Sequence, residues 1–229
     1  MFFIALMTTG FIAAGQRGNH SGIIPSVFFR GNITDRFDYN VFASTTYLPF
    51  RSGIKGSEYV RKNSELYIQP GLVYKYSSEL NFAVGYTYIR SNSFTPIIET
   101  EQQIWQQIIF EHAAFKGLML HRIRLIEDLK REHPTAFNYQ IAFEKPLEGR
   151  VLDEGEFYFT CFNETFLNLS SNSGIYSNWT FAGLGFKTFK AGKLEVGPLI
   201  QTAFNVGKRN DTLYLLQVLW LFDSKLFRR

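Results

Sequence analysis

Glu111 and His112 stand upstream of a Lys116-Gly117 pair, and His121 and Arg122 stand at mirrored distances downstream, with Arg124 just beyond. Imidazoles move protons or hold metals near neutral pH, and a guanidinium fork suits a carboxylate or a phosphate. Whether these groups meet depends on the chain between them, IIFEHAAFKGLMLHRIR over 108–124. Gly117 can supply the positive φ of a two-residue hairpin turn. Folding about Lys116-Gly117 sets His112 against His121, Glu111 against Arg122 and Ile109 against Arg124. Phe110 then meets Ile123 and Ile108 meets Leu125, so one face is nearly all apolar and the other ionic. That is the period of two expected of strands. In a helix the same charges would scatter around the axis. The segment is expected to be a hairpin.

In that hairpin Glu111, Arg122 and Arg124 form the leading polar constellation. A cross-strand Glu–Arg pair serves either as a selectivity element or ligand clamp, or as an ion pair that fixes register, worth roughly 0.2–1 kcal/mol. The register role is the plainer expectation. Lys187 and Glu195 are expected to form a second such pair. Glu144, Asp128 and Glu164 are further candidates for the network, although a bulge in its strand would flip Glu164 to the other face. His112 and His121 fall on the apolar face. A hydrolase or acyltransferase there would need a serine beside a histidine. No serine lies near them on either strand, and no Gly-x-Ser-x-Gly elbow occurs. A metal would need a third ligand that is not evident. The pair therefore reads as interfacial side chains, with a lipid-modifying enzyme as the alternative. No P-loop or dinucleotide fingerprint occurs, and no cofactor or metal is expected.

The same alternation runs along the chain. LYIQPGLVYKY (66–76) and LNFAVGYTY (80–88) pair across Ser77–Glu79 with Gly71 opposite Gly85. NWTFAGLGFK (178–187) and KLEVGPLIQTAF (193–204) meet across Lys190–Gly192, which sets Lys187 against Glu195 and Gly185 against Gly197. Strands are expected near 21–34, 36–49, 64–77, 79–91, 101–115, 118–130, 136–148, 154–170, 178–189, 193–207 and 211–224. They are long for a soluble sheet and long enough to cross a bilayer, which takes about 9–11 tilted residues. Short turns alternate with longer polar loops such as 51–64, 90–101 and 170–178, the habit of outer-membrane barrels. The expectation is an all-β, closed, antiparallel up-and-down transmembrane barrel of 10–12 strands. Twelve is favoured, because an antiparallel barrel with both chain ends on one side needs an even number. The missing strand would lie around residues 10–20.

Composition agrees. The 229 residues are 45% hydrophobic and 17% aromatic, yet the mean hydropathy is only −0.09, so apolar and polar residues are finely mixed. A net charge of +4 is spread along the chain instead of clustered, unlike a nucleic-acid binder. Cys161 is the single cysteine, which excludes an internal disulfide and a thiolate metal cluster. The apolar run FFIALMTTGFIAAG (2–15) ends in Ala13-x-Gly15 and reads as a signal peptide over 1–15, without the usual basic start. Residues 16–229 then form one domain. Beyond residue 15 no apolar run reaches the 18 residues of a transmembrane helix. A lipocalin-like binder would turn the apolar face inward around a ligand. Here the charges sit with glycines that relieve crowding in a small bore, and aromatic residues gather toward strand ends, so the apolar face is expected to point outward.

The runs EQQIWQQ (101–107), LHRIRL (120–125), FYFTCFNETFLN (157–168) and FAGLGF (181–186) resemble the uncharacterised bacterial family called domain of unknown function 2490, over nearly all of residues 23–224. The resemblance implies an exported outer-membrane barrel, typically of Bacteroidetes, and implies no activity. Two departures are visible. The family pattern has Glu directly after Arg-x-Arg-Leu, where this chain has Ile126, and Arg four places before Gly-x-Gly, where it has Trp179. Both changes remove charge from the bore. The expected protein is a bacterial outer-membrane barrel with a polar, plugged lumen, either structural or a narrow passage for small polar solutes. Its expected partners are outer-membrane lipids and not nucleic acid.

Overall fold

The computed structural model describes residues 18–53, 64–91, 99–129, 135–169, 174–189, 192–204 and 210–223. They form the strands β1 (Gly18–Asn32), β2 (Phe37–Gly53), β3 (Ser64–Lys75), β4 (Leu80–Ser91), β5 (Glu99–Ala114), β6 (Gly117–Asp128), β7 (Thr135–Pro146), β8 (Phe157–Asn168), β9 (Gly174–Phe189), β10 (Gly192–Ala203) and β11 (Asp211–Asp223). Each strand hydrogen-bonds its sequence neighbours, and β1 closes on β11 to complete a barrel. Each segment expected to be a strand is one.

The count is eleven where twelve was favoured, and the closing seam explains it. β1 and β11 pair in parallel, with Ile23 opposite Leu216 and Val27 opposite Trp220. An even count is required only when the closing pair is antiparallel. With a parallel seam an odd barrel leaves no free edge. Of the strand expected around residues 10–20, positions 18–20 open β1 and the rest lie outside the described residues. The signal peptide expected over 1–15 lies outside the described residues. Strands are joined at one end of the barrel by positions 33–36, 76–79, 115–116, 147–156 and 190–191, and at the other by 54–63, 92–98, 129–134, 169–173 and 204–210. The first set is mostly the shorter, with 147–156 the exception.

Alternation sorts the side chains as expected. Leu72 (41%), Val84 (55%) and Ile123 (43%) are exposed on the outer face, while Arg124, Glu164, Glu195 and Asp38 are buried within. The bore is filled by side chains of two kinds. Ile24, Leu48, Phe181, Leu199, Leu213 and Leu215 pack an apolar wall, with Phe162 and Trp179 against it. Across from it Val73, Ala83 and Trp105 pack with Ile126. Gly71 lies opposite Gly85 as the alternation predicts. A Cβ on either glycine would come within 2.6 or 2.2 Å of the Trp105 indole, so the pair forms the floor on which this ring lies.

Two hairpins differ in register from expectation. The β5–β6 turn is Phe115-Lys116, both at positive φ (52° and 60°), so Ala114 pairs with Gly117 and Ala113 with Leu118. Gly117 serves close approach instead of the turn. A Cβ there would lie 2.4 Å from the Glu144 carbonyl oxygen. In the β9–β10 hairpin an irregularity between Gly192 and Lys193 shifts the ladder, so Lys193 faces Lys187 and Glu195 faces Gly185. Both offsets amount to two residues and leave every side chain on its expected face.

Candidate lumen site

The register places the predicted residues anew. Glu111 is opposite Leu120, Arg122 opposite Ile109, and Arg124 opposite Gln107. The anticipated Glu111–Arg122 pairing therefore does not form. Arg122 reaches over β7 to Glu164, with Nη2 donating to Oε1 at 2.6 Å. Asn138 Nδ2 donates to the same oxygen at 2.6 Å. The bulge in β8 falls between Phe166 and Leu167, beyond Glu164, so this carboxylate faces inward.

Arg124 is buried, with no direct carboxylate partner among the described residues. Its Nε donates to Gln107 Oε1 at 2.9 Å, and its guanidinium lies over the Trp105 ring, 4.8 Å from the centroid. The Gln69 amide oxygen, in the orientation that satisfies its neighbours, accepts from Arg124 Nη1 and Trp105 Nε1 at 2.9 Å each. A guanidinium is weakly hydrated and can spend its donors on amides and a ring face. The result is a polar plug across β3, β4, β5 and β6, with Thr87 Oγ1 held to Gln69.

Lys187 and Glu195, expected as a pair, go to separate partners. Lys187 Nζ donates to the Leu152 carbonyl at 2.6 Å, tying the 147–156 connection to β9. Glu195 accepts from Tyr158 OH at 2.9 Å. Lys193, opposite Lys187 on the ladder, instead binds Glu144 at 2.6 Å and lies 5.0 Å from the Tyr158 ring centroid. A third group, unanticipated as a site, centres on Asp38, which is fully buried between Arg30 (2.9 Å) and Lys75 (3.0 Å). Arg30 and Lys75 were legible as inward by alternation. Asp38 shares their face through its pairing with Val73 and Asn32, which alternation along β2 could have shown.

His112 and His121 are on the outer face. Their rings are 5.3 Å apart and inclined by only 5°, within an aromatic stack that includes Phe110. Parallel rings send their in-plane lone pairs along parallel lines, so they do not converge on a metal at about 2.1 Å from each. Among the described residues no cluster of three metal-ligating side chains occurs. His121 Nδ1 hydrogen-bonds Tyr139 OH at 2.7 Å.

The outer face also carries a polar group that the sequence gave no reason to connect. Asn163 Nδ2 donates to Asn178 Oδ1 (3.0 Å) and Thr180 Oγ1 (2.8 Å). Asn178 Nδ2 donates to Asn163 Oδ1 (3.2 Å) and Thr165 Oγ1 (2.9 Å). The two amides and two hydroxyls satisfy one another.

A closed barrel of long strands with outward apolar and inward ionic residues matches what the opening resemblance implied, and the sequence profile described as "Protein of unknown function (DUF2490)" matches residues 25–212. The chain belongs to this family. No curated protein and no solved structure matches it. Within the family frame, the two departures fall on the bore. Ile126 is opposite Trp105 and Trp179 is opposite Glu164, so an apolar and an aromatic group stand at these two positions.

Proposed function

We propose that the chain is a bacterial outer-membrane barrel that crosses the bilayer with its eleven strands and encloses a plugged polar bore, which is structural or passes small polar solutes only. The carrying observation is the direction of the two faces. Large aliphatic side chains of β3, β4 and β6 meet the surroundings, while the ionic residues turn inward. In hydrocarbon every backbone amide must be paired within the protein, which a closed barrel achieves. A lipocalin-like binder requires the reverse facing.

Rings on the outer face support the same reading. Near the short-turn end Trp220 stacks on Phe222, Phe222 meets Phe29, Phe29 meets Tyr39, Phe37 meets Tyr74 and Tyr76 meets Phe82. Phe157 with Phe186 continues the belt on β8 and β9. Tyr47 and Tyr214 lie toward the other end. Tyr39 and Tyr47 are eight residues apart on β2, which at strand rise and barrel tilt is on the order of 20 Å along the axis. This approaches the ~25 Å apolar band of outer-membrane barrels. His112 and His121 then lie among the lower belt, at headgroup depth.

Fractionation of a Gram-negative host expressing the full chain tests the proposal. The protein is expected in the outer-membrane fraction, released by detergent, and to run faster on a gel unheated than boiled. Recovery in the soluble fraction without detergent would overturn it. For the passage, Arg122→Ala is expected to change ion conductance across planar bilayers, and a wholly non-conducting wild type leaves the structural role.

A further inference from the structure

One row of inward side chains in the bore is neither apolar nor fully engaged. On successive strands Arg122 pairs with Gln140, Gln140 with Glu164, Glu164 with Trp179, and Trp179 with Gln201. Asn138, opposite Arg124 on the adjoining step, is 1% exposed. Arg122 and Asn138 both donate to Glu164 Oε1 at 2.6 Å, so their side chains converge on one atom. Their remaining polar atoms, Arg122 Nε and Asn138 Oδ1, are buried with no hydrogen-bond partner among the described residues. Native proteins pair nearly all such atoms. Arg122, Gln140, Trp179 and Gln201 point into the bore yet are only half-buried, so solvent reaches the row at this level.

We propose that this row binds a neutral polyhydroxy solute of sugar size, an inference that rests on the inward-facing polar bore proposed above. Arg122 Nε can only donate and Asn138 Oδ1 can only accept, so between them they call for an acceptor and a donor. A hydroxyl is both. An anion would meet the Glu164 carboxylate, and a cation would meet Arg122 and Arg124. Gln140 and Gln201 each add an amide with one acceptor and two donors, suited to further hydroxyls. The Trp179 N–H is given to Ser177 Oγ at 3.0 Å and its ring packs against Phe166 at 4.9 Å, so only the half-buried remainder of that ring is an apolar surface for the C–H face of the solute. Polar groups that fix orientation beside an aromatic surface are the usual composition of a small-molecule site. A lone water would use the Arg122–Asn138 pair and leave the amides and the ring idle.

Calorimetric titration of the full chain, folded in detergent micelles and checked by its heat-modifiable gel mobility, tests this with glucose and with gluconate, which keeps the hydroxyls and adds a carboxylate. Saturable glucose binding is expected, weaker by about tenfold for gluconate and by about tenfold in Gln140→Ala and in Trp179→Leu. A folded wild-type barrel without saturable glucose binding overturns the proposal, as does binding that both variants retain unchanged or that gluconate matches. Such a failure leaves the membrane reading intact, because fractionation and gel mobility report on that separately.

Discussion

Asn163 and Asn178 each precede a threonine by two positions, a spacing that in sequence resembles glycosylation acceptors. On a strand, two positions is the repeat of one face, and β8 and β9 set Asn163 opposite Thr180 and Asn178 opposite Thr165. The motif is thus a way to place two amides and two hydroxyls in a closed square on an apolar surface. Asn178→Leu strands the donors and acceptors of Asn163 and is expected to cost about 1–3 kcal/mol. The double replacement Asn163→Leu/Asn178→Leu is expected to cost clearly less than the sum of the single ones, by urea unfolding in detergent. Additive costs would show that the four side chains act singly. Inside the bore the same logic applies to Glu164, whose loss leaves Arg122 unpaired. Glu164→Leu is expected to lower stability by about 3 kcal/mol, and Arg122→Leu/Glu164→Leu to regain most of it, read from the same unfolding curves. Alternation placed Arg122 in the interior and left the face of Glu164 open to a bulge in its strand. Their partners were not legible, because Arg122 meets a residue on β8, two strands away, and neighbouring-strand reasoning reaches only β5 and β7.

At the level of the hairpin, the β5–β6 turn places Phe115 and Lys116 at positive φ, where glycine, asparagine and aspartate are the low-cost residues. Sequence reasoning assigned the turn to Gly117 because of that preference. The preference lost to packing, since Gly117 is needed where β6 passes close to Glu144 and Phe143 of β7. Phe115→Asn with Lys116→Gly is therefore expected to stabilise the barrel by about 0.5–1 kcal/mol, while Gly117→Val destabilises it, both measurable as shifts in the urea midpoint. A destabilising Phe115→Asn, as expected if Phe115 were a strand residue, would return the turn to Lys116-Gly117. The same hairpin shows what a period of two specifies. It fixes the face of each residue, and a slip by two residues leaves that unchanged. Hence the inward placing of Arg124 and Glu195 was legible while their partners were not, and the β3–β4 register, with Gly71 opposite Gly85, was legible because no bulge intervenes there.

For the molecule as a whole, the number of strands is a statement about its seam. All eleven strands were visible as alternating segments. The twelfth was required only by supposing that closure is antiparallel, a premise that no local pattern can test, since β1 and β11 are the most distant elements in the chain. The parallel pairing also places the two ends of the barrel sheet apart, with β1 entering from the end of the longer connections and β11 leaving at the other. Cysteines at the seam can decide this. Ile23 and Leu216 are directly opposed in the ladder and both exposed on the outer face. With Cys161 replaced by serine, Ile23→Cys/Leu216→Cys is expected to oxidise to an internal disulfide that shifts the mobility of the boiled, unreduced chain. Ile23→Cys/Trp220→Cys sets the thiols four positions out of register along the strand, and should cross-link poorly. An antiparallel twelve-strand closure would insert another strand between β1 and β11, separating residues 23 and 216 by two strand spacings of nearly 5 Å each, beyond the reach of a disulfide. Failure of the first pair to oxidise in a barrel that still shows heat-modifiable mobility would replace the parallel seam with that architecture.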